Sequence, residues 1–235
     1  GEMMTALSHE SRNALQRSSA CLEMLLRRFQ DDTAVRPIVE EARRAQQDLQ
    51  RVLAEVRDYA APIHLEPSWE DVSELWQETW GQLNPLWQGR QVELIEPDNA
   101  SNLRLRVDVF RMRQVFRNLF ENALQACADP VTIAITCGSL EDAAGRRILR
   151  LAVRDNGPGA PPEARDRVFE PFYTTKPKGT GLGMAIVKRI VEAHGGTIAL
   201  ETAPGAGFEV ILHLPDEAPP RVPDGLRELG LLPET

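Results

Sequence analysis

Apolar residues in the first sixty positions recur at helical rather than strand spacing. Leu7, Leu15, Leu22, Leu25, Leu26 and Phe29 gather on one side when the chain is projected at about 100° per residue. Asp31-Asp32-Thr33 interrupts this run and offers capping side chains for a second helix, in which Pro37 is tolerable near the first turn. That helix carries Val35, Ile38, Val39, Ala42, Ala45, Leu49, Val52, Leu53 and Val56. Two helices of roughly 27 residues each extend about 40 Å at 1.5 Å per residue. A lone hairpin of that length has an apolar stripe but no core. Pairing with a second copy, into a four-helix bundle, is the expected remedy.

Pro62 and Pro67 mark a linker, after which the pattern becomes mixed. The periodicity predicts helices over residues 72–88, 109–127 and 181–194. It predicts strands over 91–95, 103–107, 131–137, 148–154, 197–201 and 208–214. The expected fold class is therefore α plus α/β. An N-terminal antiparallel hairpin (1–62) forms a dimeric four-helix bundle, and an α/β sandwich (66–215) follows. The tail over 216–235 is Pro-rich and acidic; Leu226, Leu229, Leu231 and Leu232 either dock on a partner or ride on a plain solvated tail. No internal repeat is visible.

Composition changes this picture little. Of 235 residues, 42% are hydrophobic and 26% charged, as in ordinary globular proteins. The net charge of −8 argues against nucleic acid as a partner, since that footprint is a basic face. No apolar run approaches the roughly 18 residues that cross a bilayer. Gly1-Glu2-Met3-Met4 lacks the basic and apolar regions of a signal peptide, so a cytoplasmic location is expected for this segment, with a membrane anchor outside it left open. The chain starts inside a helical pattern, as a piece of a longer protein would. Cys21, Cys127 and Cys137 are widely spaced in apolar stretches and read as buried, reduced thiols.

The chemistry lies in four places. Gly179-Thr180-Gly181-Leu182-Gly183 runs into the apolar helix start Met184-Ala185-Ile186-Val187. Glycines there allow close backbone approach, and N–H groups at the helix N-terminus favour phosphate. Neither the Rossmann nor the P-loop pattern fits. Asp155-Asn156-Gly157-Pro158-Gly159 ends a predicted strand. Its carboxylate can accept from an adenine amino group, although a structural turn explains the same residues equally well. Asn118 and Asn122 are four apart, on one helix face, and uncharged amide oxygens suit a Mg²⁺ already largely neutralised by phosphate. His9 lies roughly 150° from the centre of the leucine stripe and should be exposed. A neutral imidazole is a good nucleophile near pH 7. Glu10 beside it can hold the proton on the other ring nitrogen. Asn13, one turn on, can bond a phosphoryl group or orient a water. His194, before Gly195-Gly196, reads as a cationic or capping group at a helix end.

Five segments in order carry a family resemblance: His9-Glu10 with Asn13, Asn118 to Asn122-Ala123, Asp155 with Gly157 and Gly159, Phe169-Glu170-Pro171-Phe172, and Gly179 to Gly183. This order resembles two-component sensor histidine kinases over about residues 4 to 215. Asn122-Ala-Leu-Gln-Ala and Phe172-Tyr-Thr-Thr-Lys176 look most like the nitrogen-regulatory branch, with its short ATP lid. The resemblance implies a dimerisation and phosphotransfer hairpin followed by an ATP-binding domain of the gyrase and Hsp90 type. It implies an ATP-dependent autokinase that phosphorylates His9 and passes the group to an aspartate of a response-regulator receiver domain, with phosphatase activity toward that regulator. His9 is then the phosphoacceptor, Glu10 its base, and Asn13 an orienting group. Asn122 is the Mg²⁺ ligand and Asp155 the adenine reader. Asn118, Gly157, Gly159, Thr180, Gly181, Leu182 and Gly183 line the nucleotide. Residues 169–180 are the lid, from which Lys176 or Lys178 reaches phosphate. A sensor domain would precede this segment.

The chain departs from the family in three places. Ser11 and Ala14 stand where a bulky aliphatic and a proline are usual, which puts the efficiency of transfer in doubt, and the spacing at Ala206-Gly207-Phe208 is shortened. Two alternatives stay open: a pseudokinase scaffold, and an ATPase of the same fold. The ATPase branches carry a glutamate base four residues before the metal asparagine, where this chain has Asn118.

Overall fold

A computed structural model describes residues 2–97, 103–141, 145–176 and 179–216, with side chains from Asn13 onward except Asp166. The chain divides into two compact units, one of 1–62 with 170–182, the other of 63–169 with 183–235.

The first unit is built on helices α1 (Glu2–Arg28) and α2 (Val35–Ala60). Asp32 reverses the chain between them: its Oδ1 accepts the N–H groups of Ala34 and Val35 at 2.9 and 3.0 Å, satisfying donors that a helix start leaves orphaned. Arg27 and Arg28 close α1, where positive charge suits the helix C-terminus. Gln46 sets the register of the hairpin. It is buried, and its Nε2 donates to the Leu15 carbonyl at 2.6 Å and to Ser19 Oγ at 2.7 Å. Stepping back along α1 from these two contacts places the turn bearing His9 level with residues 52–56 of α2. Of the apolar stripe on α2, Val39 is buried, whereas Ile38 is 70% exposed and Leu49 49% exposed. Cys21 is exposed, contrary to the expectation of three buried thiols, because two helices bury only the seam they share.

The second unit begins with β1 (Ser68–Asp71), which pairs antiparallel with β3 (Arg104–Val107). Helix α3 (Val72–Gln82) starts at Asp71, whose side chain accepts from Ser73 N. The helix expected to reach residue 88 stops at Gln82. Leu83 N–H turns back to the Trp80 carbonyl, and Pro85 opens a separate short helix, α4 (Asn84–Trp87). The main sheet runs β2-β4-β5-β7-β6, with β2 (Val92–Ile95), β4 (Val131–Glu141), β5 (Arg147–Asp155), β6 (Thr197–Thr202) and β7 (Phe208–Pro215). β2 and β4 are parallel and the remaining pairs antiparallel. Helices α5 (Val109–Ala126), α6 (Pro162–Arg167) and α7 (Gly183–Ala193) complete it.

Alternation drives the packing. Val131, Ile133 and Ile135 of β4 are buried while their neighbours Thr132 and Ala134 are only partly so. The apolar face of α5, with Met112, Val115, Phe116, Leu119 and Phe120, is buried together with Val187 and Ile190 of α7. Trp76 of α3 meets Phe116 edge-on at 6.0 Å. Each such buried side chain contributes at most about 1.5–3 kcal/mol.

His194, just beyond α7, ties the helices together as a neutral group rather than a cation. Its Nδ1 lies 2.8 Å from the Ile190 carbonyl, and its Nε2 accepts the Asp108 N–H at 3.0 Å. One nitrogen must donate and the other accept, which selects the Nδ1–H tautomer. Asp108 itself caps α5 through Arg111 N at 2.9 Å and holds Glu66 N at 2.8 Å.

Candidate functional site

In the second unit the anticipated residues lie on α5, at the start of α7 and at the end of β5. Asn118 and Asn122 sit one turn apart on α5, both partly exposed, on the border of its buried face. Asn118 abuts the first residue of α7: a Cβ on Gly183 would lie 3.4 Å from Asn118 Oδ1. The amide-bearing edge of α5 and the N-terminus of α7 therefore line a common rim. Among the described residues no group of three or more His, Cys, Asp or Glu side chains converges.

Asp155 ends β5 and is buried. Its Oδ1 accepts Gly157 N at 2.8 Å and Phe208 N at 3.2 Å. The loop that follows is held tightly. Asn156 Oδ1 accepts Thr132 N and its Nδ2 donates to the Pro130 carbonyl. A Cβ on Gly157 would stand 2.9 Å from Asp155 Oδ1 and 3.0 Å from Cys127 Sγ. Gly159 has a positive φ, and a Cβ there would overlap the Ala203 carbonyl oxygen. Glycine at 159 is thus already required by backbone approach to the β6–β7 turn, whatever binds nearby.

Cys127 was not anticipated at this site. It is buried at the end of α5, hydrogen-bonded to Asp155. Burial, and then the Asp155 charge beside it, pushes its thiol up to about 11. Cys137, on β4, is raised to about 11 by burial alone. Both stay protonated at neutral pH and serve as packing and hydrogen-bonding groups, not nucleophiles.

In the first unit, the described residues 172–176 and 179–182 are tied by short-range backbone and side-chain bonds. Phe172 N–H bonds the Gly181 carbonyl at 3.1 Å, and Phe172 and Gly181 both take positive φ. A side chain at Gly181 would press into the backbone of Phe172 and Tyr173. Within the loop, Lys176 N–H is held by Thr174 Oγ1 at 3.0 Å. Lys178 lies outside the described residues. Thr180 accepts Leu182 N–H at 3.3 Å and donates to Glu55 of α2. The sequence placed this lid with the α/β sandwich; in the structure residues 170–182 group with the hairpin. Nothing in the spacing of Glu55 singled it out.

His9 and Glu10 lie within α1, but their side chains are outside the described residues, so the expected exposure of His9 is carried by the helical projection alone. Asn13 is described and exposed. The tail beyond 216, with its four leucines, is likewise outside.

The fold and this rim define a class, a mixed sheet with asparagine-bearing and glycine-led helices, and residues 107–218 match the family described as histidine kinase-, DNA gyrase B-, and HSP90-like ATPase. The chain is 30% identical to the sensor histidine kinase ZraS of Klebsiella oxytoca over 215 residues, 92% of this chain and 46% of that protein. Among solved structures, full-length ShkA in complex with AMPPNP superposes with a TM-score of 0.76 at 26% identity, covering 96% of this chain and 48% of that one. The catalytic domain of the histidine kinase ThkA is 32% identical, with a TM-score of 0.56 over 64% of this chain and 96% of that one. ThkA in complex with the response regulator protein TrrA gives a TM-score of 0.66 at 26% identity, covering 92% of this chain and 62% of that one. Together these likenesses support a two-component sensor histidine kinase catalytic core. The chain spans about half the length of the curated relatives it matches. No helix among the described residues is long and apolar enough to cross a membrane.

Proposed function

We propose that this chain is the catalytic core of an ATP-dependent protein histidine kinase, in which the hairpin carries the phosphoacceptor His9 and the α/β unit carries the nucleotide. The observation that carries the reading is the rim where Asn118 meets the N-terminus of α7, in the same unit as the buried carboxylate of Asp155. Asp155 reads the adenine amino group, and Gly157 leaves room for the base against backbone. Asn122, helped by Asn118, would hold Mg²⁺, which would supply neutralisation of phosphate charge. Gly159, Gly181, Leu182 and Gly183 shape the backbone, while Thr180 and Lys176 face phosphate from the lid.

An imidazole nitrogen of His9 attacks the γ-phosphorus as the bond to ADP breaks, and Glu10 takes up the ring proton on the far nitrogen. The phosphoryl group then passes to a carboxylate oxygen of an aspartate on a response-regulator receiver domain. Asn13, exposed one turn from His9, orients water for the reverse task of dephosphorylating that aspartate. Two copies pair through the hairpin, whose outward apolar residues need cover, and a sensor domain supplies the signal from outside this segment. The ATPase alternative lacks a base: Glu121, the carboxylate nearest in sequence to Asn122, is ion-paired with Arg117 at 2.8 Å.

With γ-labelled ATP and Mg²⁺, the protein should gain acid-labile label, and His9→Gln should abolish it while leaving ATP binding intact. Label persisting in His9→Gln sinks the assignment. Normal nucleotide binding with no phosphohistidine in the wild type would favour the scaffold reading instead.

A further inference from the structure

The lid loop is seated on the hairpin by a contact that the phosphotransfer chemistry does not require. Thr180 of the Gly-Thr-Gly segment donates its single hydroxyl proton to the carboxylate of Glu55. Its oxygen accepts the N–H of Leu182, the residue before α7 begins. Thr180 borders an open groove of about 340 Å³, lined also by Asp48, Arg51 and Val52 of α2 and by Phe172, Gly179 and Leu182 of the lid. Arg51 is itself engaged by Asp48, at 2.9 Å. Gln46 sets the hairpin register so that Glu55 lies level with the turn carrying His9.

Thr180 O–H and Leu182 N–H are the kind of donors that an incoming phosphate uses at a helix start. Here both are committed, one to a carboxylate and one to the hydroxyl. A hydroxyl has one proton, so Thr180 can serve Glu55 or a phosphate oxygen but not both. The Glu55 charge would also repel polyphosphate brought to the same hydroxyl, and partial burial weakens the screening of that repulsion. Arg51 offers the opposite charge in the same groove, but its ion pair with Asp48 offsets it.

We propose that Glu55 is an affinity-determining residue of the nucleotide site, acting as an intramolecular stand-in for phosphate on Thr180, so that a residue of the hairpin sets how readily the lid accepts nucleotide. The inference rests on the nucleotide reading given above. Binding of ATP draws Thr180 from Glu55, and a shift of the hairpin that withdraws Glu55 would release the lid beforehand.

The test uses the 235-residue chain and Mg·ATP, with titration calorimetry for affinity and hydrogen–deuterium exchange across residues 170–182 for the seating of the lid. Glu55→Ala should bind Mg·ATP about ten- to hundred-fold more tightly, the range expected for freeing one donor from a charged acceptor. In the nucleotide-free protein its lid should exchange faster. Glu55→Gln, which keeps an acceptor but loses the charge, should fall between the two and guards against any loss of folding in the alanine variant. Unchanged or weaker binding in both variants, or lid exchange equal to wild type in both, overturns the inference. The exchange measurement needs no nucleotide. A wild type that bound no ATP would therefore sink the proposed function, while the exchange result still judged the Glu55 contact on its own.

Discussion

Two backbone N–H groups, from Gly157 and Phe208, converge on one oxygen of Asp155. That oxygen is occupied with fold; the other face of the carboxylate is what the nucleotide reading uses. Asp155→Asn separates the two roles. An amide oxygen in place of Oδ1 keeps both backbone bonds, while its NH₂ presents a donor where the adenine amino group also donates. ATP affinity should fall at least about ten-fold, the cost of setting two donors against each other, with the melting temperature changed by only a few degrees. Calorimetry and thermal denaturation of the same sample check it; equal affinity would remove Asp155 from base recognition. Asp155, Asn118 and Asn122 could be singled out from sequence because each has a residue type and a place, at a strand end or one turn apart on a helix, that the proposed chemistry would require. Cys127 and Glu55 were not, since their partners lie across the fold and no local spacing announces them. Gly159 was legible for a second reason not foreseen, the approach of the Ala203 carbonyl.

At the scale of elements, the hairpin presents an unfinished surface. Ile38 and Leu49 are eleven residues apart, three turns, so they share a face within about 20°, and both are largely exposed in the single chain. Replacing both with glutamate should weaken self-association by roughly 100-fold or more, given the apolar area each would bury at a helix–helix seam. Light scattering over a concentration series reads this directly, and a wild type that stays monomeric at tens of micromolar would refute pairing through the hairpin. The elements easiest to anticipate were those with strong period, α1, α2, α5 and α7, and the alternating β4 and β7. The errors have physical causes. β1 is four residues with two carboxylates and no alternation, and it exists because β3 offers an edge. α6 is polar throughout apart from Pro162 and buried Ala164. The helix at 72–88 was drawn too long because the pattern ran through Pro85, which starts a new turn instead. His194 was read from its helix end alone, and only the fold shows that its second nitrogen accepts from the cap of α5.

For the molecule as a whole, the division into units bears on how the reaction is assembled. The α/β unit has its own core, from Trp76 through Phe116 to Leu212 and Leu214, and its linker residue Glu66 is fastened to Asp108 inside that same unit. Residues 63–235 should therefore fold without the hairpin, but the loop at 170–182 would lose the surface it groups with. Such a fragment should bind Mg·ATP at least as tightly as the intact chain, because Glu55 no longer competes for Thr180. It carries no His9 and should take up no label alone. Mixed with a separate 1–62 hairpin, it should label that hairpin in a reaction whose rate rises with both concentrations. Severing the linker replaces an effective concentration of order millimolar by the bulk value, so at micromolar fragments the rate should drop by roughly 10²–10³. Phosphohistidine on the hairpin, measured against the intact chain across a dilution series, tests the separation of donor and acceptor. A fragment that folds and binds nucleotide yet never labels the hairpin, even at millimolar concentration, would mean that the linker does more than hold the two near each other.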